Sequence, residues 1–358
     1  MIYVAIAIAL FFAMNIGASG TAAAMGAAYG GGAIGSKRLA MLIVAAAAFL
    51  GAVLGGGEVV KTIGGGIIPS SVLQVETVVI ILASATLTLF IANMIGIPLS
   101  TSEVTVGSIV GVGLAYKTIF VHKLLVIVSF WIAVPLVAFM LAYAAGLLIK
   151  GAEMRWPVLT GTGKWRRWLG ALLVTGGALE AFSAGMNNVA NAVGPLVGAG
   201  LMSAGSGVWI GGLFVAIGAV LLGGKVLETN GKKITRLSLL QGSAVSFTSG
   251  ILVIIASVFG IPVPLTQATT CAILGVGTAD HGFRLWQKGV IHQIIKVWIV
   301  SPVSSLVVAY AMINLWLTPN PYVLIVIASV FIATIGSISL SRTVRKEKST
   351  IHDQGGGI

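Results

Sequence analysis

Charge is scarce in this sequence. Only 21 Lys and Arg and 9 Asp and Glu occur among 358 residues, which is 8%, whereas soluble domains carry roughly 25%. A water-soluble fold cannot bury the apolar surface of so many uncharged residues, so the sequence predicts an all-α polytopic membrane protein. Long stretches without any Asp, Glu, Lys or Arg include 39–57, 77–102, 124–149, 181–224, 237–279 and 297–341.

Other features are missing as well, and each absence excludes a class of protein. The single cysteine, Cys271, excludes a disulfide-rich secreted domain. No His/Cys spacing fits zinc and no nucleotide-binding loop is present, so we expect neither an enzyme nor a metal or cofactor site. The apolar N-terminus lacks a basic leader region and is expected to be a retained span. The net charge of +12 indicates basic membrane-side loops rather than nucleic-acid binding.

Hydrophobic runs predict about eleven crossings of the membrane. With the N-terminus outside and the C-terminus inside, 16 of the 21 basic residues fall in inner loops, which supports a bacterial cytoplasmic membrane protein. Two Gly/Ala-rich segments, 18–35 and 185–205, are expected to be broken or re-entrant. The predicted crossings are 2–17, 38–58, 72–96, 104–116, 122–149, 166–183, 207–228, 236–260, 268–281, 291–317 and 322–341.

The two halves of the chain repeat. Five crossings per repeat is an odd number, so the second copy enters the membrane from the opposite side, which is the inverted-repeat architecture of many secondary transporters. Three blocks recur in the same order: 51–67 with 218–234, GIPLSTSEVTVGSIVGVG (96–113) with GIPVPLTQATTCAILGVG (260–277), and 129–135 with 296–302. The predicted units are a first repeat 1–149, a basic cytoplasmic linker 150–165, a second repeat 166–317, an additional span 318–341 and a cytoplasmic tail 342–358.

Polar residues in the repeated segments mark the expected substrate site near the midplane. Hydroxyls after a proline suit the first turn of a helix, and a helix N-terminus binds anions through its free N–H groups. Membrane asparagines can also serve only to hold helices together. The candidate substrate-binding residues are Thr21, Ser100, Thr101, Ser102, Asn187, Asn188, Asn191, Thr266 and Gln267.

Two carboxyl groups are candidates for proton coupling, because an acid inside the membrane is a functional candidate by default. Glu103 is the only acid in 77–152, and the alternative is an interfacial acid near the cytoplasmic face. Glu180 is expected near the outer end of the span 166–183.

The segments NNVANAVGPLVGAG and GIPLSTSE…GVG resemble the paired signatures of the inorganic phosphate transporter (PiT) family, usually GANDVANA and PVSTTH or PVSTTQ. The resemblance covers both halves. It implies a secondary transporter of tetrahedral oxyanions with an inverted-repeat fold, and it is compatible with a homodimer in the lipid bilayer.

The departures from the family pattern concern charge. The family aspartate is replaced by Asn188 in one copy; in the other, Gly20 and Thr21 stand where asparagine and aspartate are usual, and Ser246 stands where a glutamate is common. Sulfate at neutral pH has no proton to donate, so it needs a shell of donors only. The pattern resembles the CysP-like sulfate permease branch, which implies proton-coupled sulfate uptake. A phosphate transporter coupled to protons or sodium is the alternative, and an anion channel fits less well.

Overall fold

The computed structural model describes residues 1–94, 99–161, 163–228, 237–282, 288–323 and 325–329. Within them the secondary structure is helical and contains no strand. A π-helical turn, Gly17–Thr21, extends the first helix, and short 3-10 turns lie at Ser70–Val72 and Pro157–Thr160. The helices are α1 (Ile2–Ile16), α2 (Gly26–Gly30), α3 (Lys37–Gly55), α4 (Gly57–Gly65), α5 (Val75–Met94), α6 (Thr101–Ala115), α7 (Val121–Arg155), α8 (Trp165–Gly198), α9 (Ala204–Leu222), α10 (Leu239–Val258), α11 (Leu265–His281) and α12 (Lys288–Trp316).

The prediction of a multi-pass membrane protein is confirmed. Eight helices in the described ranges are long and apolar enough to cross a bilayer, counting α1 together with its π turn. Helices α6 and α11 have only 15 and 17 residues, as the short predicted crossings 104–116 and 268–281 required. The predicted crossing 322–341 and the tail 342–358 lie largely or wholly outside the described residues, so the crossing count and the orientation of the termini stay predictions.

The predicted break at 185–205 is wrong for most of its length. Helix α8 continues without interruption to Gly198. The glycines allow close helix packing instead: a Cβ at Gly185 would collide with the carbonyl oxygen of Ala48 in α3, and one at Gly198 would collide with that of Gly64 in α4. Small residues therefore bring membrane helices together here without breaking the helix. Only the first copy departs from regular α-helix, at Gly17–Thr21 and in the turn before α2.

Helices from the two predicted halves pack crosswise. The long helix α7 packs on the short helix α11, and the long helix α12 packs on the short helix α6. In the same way α8 packs on α3, and α1 packs on α9. This packing of each half against the other brings the starts of α6 and α11 towards one another in the interior, where residues of both can form a single site.

The end of α7 and the start of the linker 150–165 contact the ends of two other helices at one end of the bundle. The Lys150 amine donates to the backbone oxygen of Asp280 at the end of α11 (3.0 Å). The Ser238 hydroxyl, at the start of α10, donates to Glu153 (2.7 Å). Predicted inner loops that are far apart in sequence thus meet at the same end, which is the basic one.

Candidate anion-binding site

Helix α6 begins inside the protein, and its first turn is polar. The Ser100 hydroxyl caps the helix by accepting from the backbone N–H of Glu103 (3.4 Å). Ser102 and Glu103 are 0% and 1% exposed, so Glu103 is not an interfacial acid. A buried helix N-terminus with hydroxyls around it has a positive partial charge and unpaired N–H groups, which suit an anion.

Helix α8 places three asparagines against this turn. The Thr101 hydroxyl donates to the Oδ1 of Asn188 (3.1 Å). The Nδ2 of Asn191 donates to the Ser102 hydroxyl (3.2 Å). All three asparagines are buried, so the predicted residues of segments 100–102 and 187–191 do come together.

The amide of Asn188 has a defined orientation. Its Oδ1 accepts from Thr101, from the Ser102 hydroxyl (3.4 Å) and from the Nδ2 of Asn191 (3.4 Å). In this orientation the oxygen of the amide faces the Thr101 and Ser102 hydroxyls and the Nδ2 of Asn191, and the nitrogen lies at the opposite end. Within the described part of the chain the Nδ2 of Asn188 makes no hydrogen bond, so it remains available as a donor.

Asn187 differs from its neighbour, because protein groups occupy both ends of its amide. Its Nδ2 donates to the Ser257 hydroxyl (2.8 Å) and to the backbone oxygen of Ile261 (3.2 Å). Its Oδ1 accepts from the backbone N–H of Val263 (3.2 Å). Asn187 therefore holds the extended segment 261–264 that leads into α11.

Sequence reasoning missed two further residues that hold the segments before the short helices. The indole of Trp131 in α7 donates to the backbone oxygen of Pro262 (2.9 Å), just before α11. The Ser301 hydroxyl in α12 donates to the backbone oxygen of Ser100 (3.4 Å), just before α6. The sequence placed Trp131 beside a proline in a repeated block, but only the packing of α7 on α11 shows its partner.

The first turns of α6 and α11 meet directly. The Nε2 of Gln267 donates to the Oε1 of Glu103. The Ser301 hydroxyl of α12 also faces the Glu103 carboxyl. The second oxygen of that carboxyl, Oε2, and the Oε1 of Gln267 are both buried without a hydrogen bond of standard geometry among the described residues. Two acceptors are thus left over at the contact between the helices.

The broken first copy lies beside the start of α11. A Cβ at Gly20 would lie 3.7 Å from the Cγ2 of Thr266. The Thr21 hydroxyl donates to the backbone oxygen of Ile16 (3.3 Å), which stabilises the π turn. The first copy therefore faces the start of α11, as the asparagines of α8 face the start of α6.

Glu180 is not at an outer helix end as expected. It lies midway along α8 because that helix is longer than predicted, and it is 3% exposed. The Thr269 hydroxyl in α11 donates to its Oε1 (2.6 Å). Ser246 and Ser249 of α10 also face the carboxyl, so Glu180 has neutral partners from two helices.

These features define a multi-pass helical membrane protein with a polar, hydroxyl- and amide-lined site enclosed between its spans. A family model described as the phosphate transporter family matches residues 16–309. The chain belongs to this family, and the resemblance predicted from the sequence is confirmed.

Relatives of known name support a transport protein rather than an enzyme. The sulfate permease CysP of Bacillus subtilis (strain 168) is 53% identical over 354 residues and covers 99% of both chains. The chloroplastic inorganic phosphate transporter 2-1 of Arabidopsis thaliana is 28% identical, covering 88% of this chain and 72% of the relative. A solved structure, described as the sodium-dependent phosphate transporter, aligns with a TM-score of 0.73 and 25% identity over 87% of this chain and 97% of that chain. The protein is a permease of the cell membrane.

Proposed function

We propose that the protein imports sulfate across the cell membrane together with protons, by alternating access. The high identity to a sulfate permease over the full length supports the substrate. The observation that carries the proposal is the orientation of the Asn188 amide, which keeps its oxygen in the protein and leaves its nitrogen free.

A free amide nitrogen selects for the fully deprotonated anion. Sulfate at neutral pH only accepts hydrogen bonds, whereas hydrogen phosphate also donates one. An aspartate at position 188, which is the usual family residue, would present a carboxylate oxygen in place of the Nδ2. That oxygen would accept from a protonated phosphate and repel a dianion. The Ser100 hydroxyl accepts from the backbone N–H of Glu103, and its own proton supplies a further donor at the start of α6.

The crosswise packing supports alternating access. We propose that 1–149 and 166–317 are inverted repeats, joined by the linker 150–165 and followed by the span 318–341. Each short helix, α6 or α11, packs on a long helix of the other half. Movement of one set of helices against the other would then expose the site between the short helices to alternate sides of the membrane.

The contact between Glu103 and Gln267 supports proton coupling at Glu103. A protonated carboxyl and a primary amide can pair through two hydrogen bonds, one in each direction. One of them is present, from Gln267 to Glu103. The Oε2 of Glu103 and the Oε1 of Gln267 are both buried without a partner, and a proton on Oε2 would turn that oxygen into a donor for which the Oε1 of Gln267 is a candidate acceptor. Leaving a charged carboxylate here would bury it without full compensation, which is costly.

Proton and sulfate binding at this site would be linked through charge. Glu103 is in the same helical turn as Thr101 and Ser102, so an ionised Glu103 would repel a sulfate bound there. Protonation of Glu103 removes this repulsion, so sulfate and the proton bind cooperatively. Glu180 is the alternative proton carrier; its contact with Thr269 supports a positioning role between α8 and α11.

The test is uptake of labelled sulfate and phosphate into liposomes, with pH and sodium gradients imposed separately. Wild-type protein is expected to accumulate sulfate with a pH gradient alone. Asn188→Asp is expected to lower sulfate uptake about tenfold, equivalent to about 1.4 kcal/mol, and to raise the preference for phosphate. Asn314→Asp, which adds the same carboxylate to a buried asparagine of α12 bonded only to its own helix, controls for a buried charge.

Three outcomes would contradict the proposal. Sodium-driven phosphate uptake by the wild type would favour the alternative function, a sodium-coupled phosphate transporter. Unchanged selectivity between sulfate and phosphate in Asn188→Asp would contradict the role proposed for the Asn188 amide nitrogen. Electrical currents with unitary conductance would indicate a channel.

A further inference from the structure

A groove at the basic end of the bundle lies outside the anion site. It opens between the start of α3 and the end of α9 and has a volume of about 700 Å³, which is within the usual range for small-ligand sites. Its mouth is formed by Lys37, Arg38 and Lys225, and its walls include Met41, Leu42 and Leu221.

The mouth of the groove is positively charged. Among the described residues that line it, three are cations, Lys37, Arg38 and Lys225, and Lys37 is paired with Glu228 (2.7 Å). Gly224 allows this arrangement, because a Cβ there would lie 2.9 Å from the Nζ of Lys37. Glu228 thereby fixes Lys37 at the end of α9, while Arg38 is exposed beside it.

The walls of the groove are apolar and face outward. Leu42 and Leu221 are 56% and 67% exposed, and they belong to helices long and apolar enough to span the membrane. Lys37 is the first residue of α3 and Leu222 is the last of α9. The cations therefore lie at the level where both spans end, and the apolar walls lie at the edge of the bilayer.

We propose that this groove binds an anionic phospholipid. The lipid phosphate would contact Arg38, Lys225 and Lys37, and an acyl chain would lie along Leu42 and Leu221. Basic pockets between membrane helices are suited to anionic head groups. A soluble phosphate would make no use of the apolar walls, and a zwitterionic lipid would bring its own cation close to the basic mouth.

The test measures lipid binding to the purified full-length protein, and transport activity is not needed for the readout. Phosphatidylglycerol or phosphatidylcholine is titrated while native mass spectrometry counts bound lipids and a thermal shift reports stabilisation. The wild type is expected to prefer phosphatidylglycerol, and Arg38→Gln/Lys225→Gln is expected to bind it roughly tenfold more weakly or worse. Lys37 is left unchanged because its loss would leave Glu228 without this partner.

The matched control is Lys164→Gln/Arg167→Gln. These two residues are also basic and exposed, and they belong to the same predicted cytoplasmic surface, so the control removes equal charge outside the groove. The control is expected to bind phosphatidylglycerol like the wild type. Equal loss in both variants would show diffuse surface attraction and overturn the proposal. Equal binding of phosphatidylcholine, or full competition by inorganic phosphate or sulfate alone, would also overturn it.

A second pair of variants tests the apolar walls. Leu42→Ser/Leu221→Ser keeps every charge and changes two side chains that are exposed on the bundle; the thermal unfolding of the variant checks that it folds. The change is expected to weaken binding of long-chain phosphatidylglycerol while leaving binding of a short-chain form unchanged. Unchanged long-chain binding would show that the acyl chain does not occupy the groove.

Discussion

Gln267 and Glu103 are hydrogen-bonded to one another across a separation of 164 residues. The same separation relates the blocks GIPLSTSE and GIPVPLTQ, so these two residues occupy corresponding positions in the repeat. In the inverted repeat that we propose, corresponding residues can touch only near the axis that relates the halves. Movement of one half relative to the other would therefore change the distance between Glu103 and Gln267 directly.

The first prediction concerns the proton. Glu103→Gln keeps the size of the side chain and a group that accepts from Gln267, but it cannot titrate. Exchange of labelled for unlabelled sulfate is expected to persist, whereas accumulation driven by a pH gradient is expected to be lost. Both quantities are measured in the same liposomes.

Glu180→Gln is the control for this experiment. A glutamine at position 180 can still accept from Thr269, so proton-driven accumulation is expected to remain. The reverse result, with accumulation lost in Glu180→Gln and kept in Glu103→Gln, would move the proton to Glu180.

A second prediction concerns the hydroxyl that orients Asn188. Thr101→Val keeps the shape of the side chain but removes the donor to the Oδ1 of Asn188, and loss of one buried hydrogen bond costs about 1–3 kcal/mol. The sulfate concentration for half-maximal uptake is expected to rise about tenfold. Thr101→Ser restores the hydroxyl and is expected to restore affinity; equal defects in both variants would point to packing alone.

A third prediction separates positioning from binding. Asn187→Ala removes the partner of Ser257, Ile261 and Val263. The free energy of unfolding of the detergent-solubilised protein is therefore expected to fall by about 2–4 kcal/mol, which lowers its melting temperature. Asn314→Ala loses one bond to the backbone oxygen of Tyr310 in its own helix and is expected to cost less. Full stability of Asn187→Ala with lost sulfate binding would instead assign Asn187 to the substrate.

A fourth prediction tests the close packing of α8 on α3. Gly185→Ala would place a methyl group on the carbonyl of Ala48, and such overpacking costs about 1–3 kcal/mol. Gly151→Ala lies in the helix α7 with open space around the added Cβ, and it is expected to stabilise by up to about 1 kcal/mol. Thermal unfolding of both variants distinguishes them, and identical melting temperatures would contradict the close approach.

The continuity of helix α8 could not be predicted from the sequence. Its Gly/Ala/Ser/Asn content predicted a break at 185, because small and polar residues mark both broken helices and tightly packed ones. The two cases differ only in the neighbour, which here is the backbone of α3 and α4. Similarly, Asn187 and Asn188 are adjacent and chemically identical, yet one holds a backbone segment and the other leaves a donor free.

The sequence by itself determined the membrane environment, the presence of most spans and the family, because each depends on hydropathy and motifs that are local in the sequence; the full length of α8 was not among them. The tertiary structure alone decided that Glu103 meets Gln267, that Trp131 and Ser301 hold the segments before the short helices, and that Lys225 joins Lys37 and Arg38 at one groove. The reason is physical: those contacts join residues far apart in sequence, and only the packing of whole helices determines which side chains come within hydrogen-bonding distance.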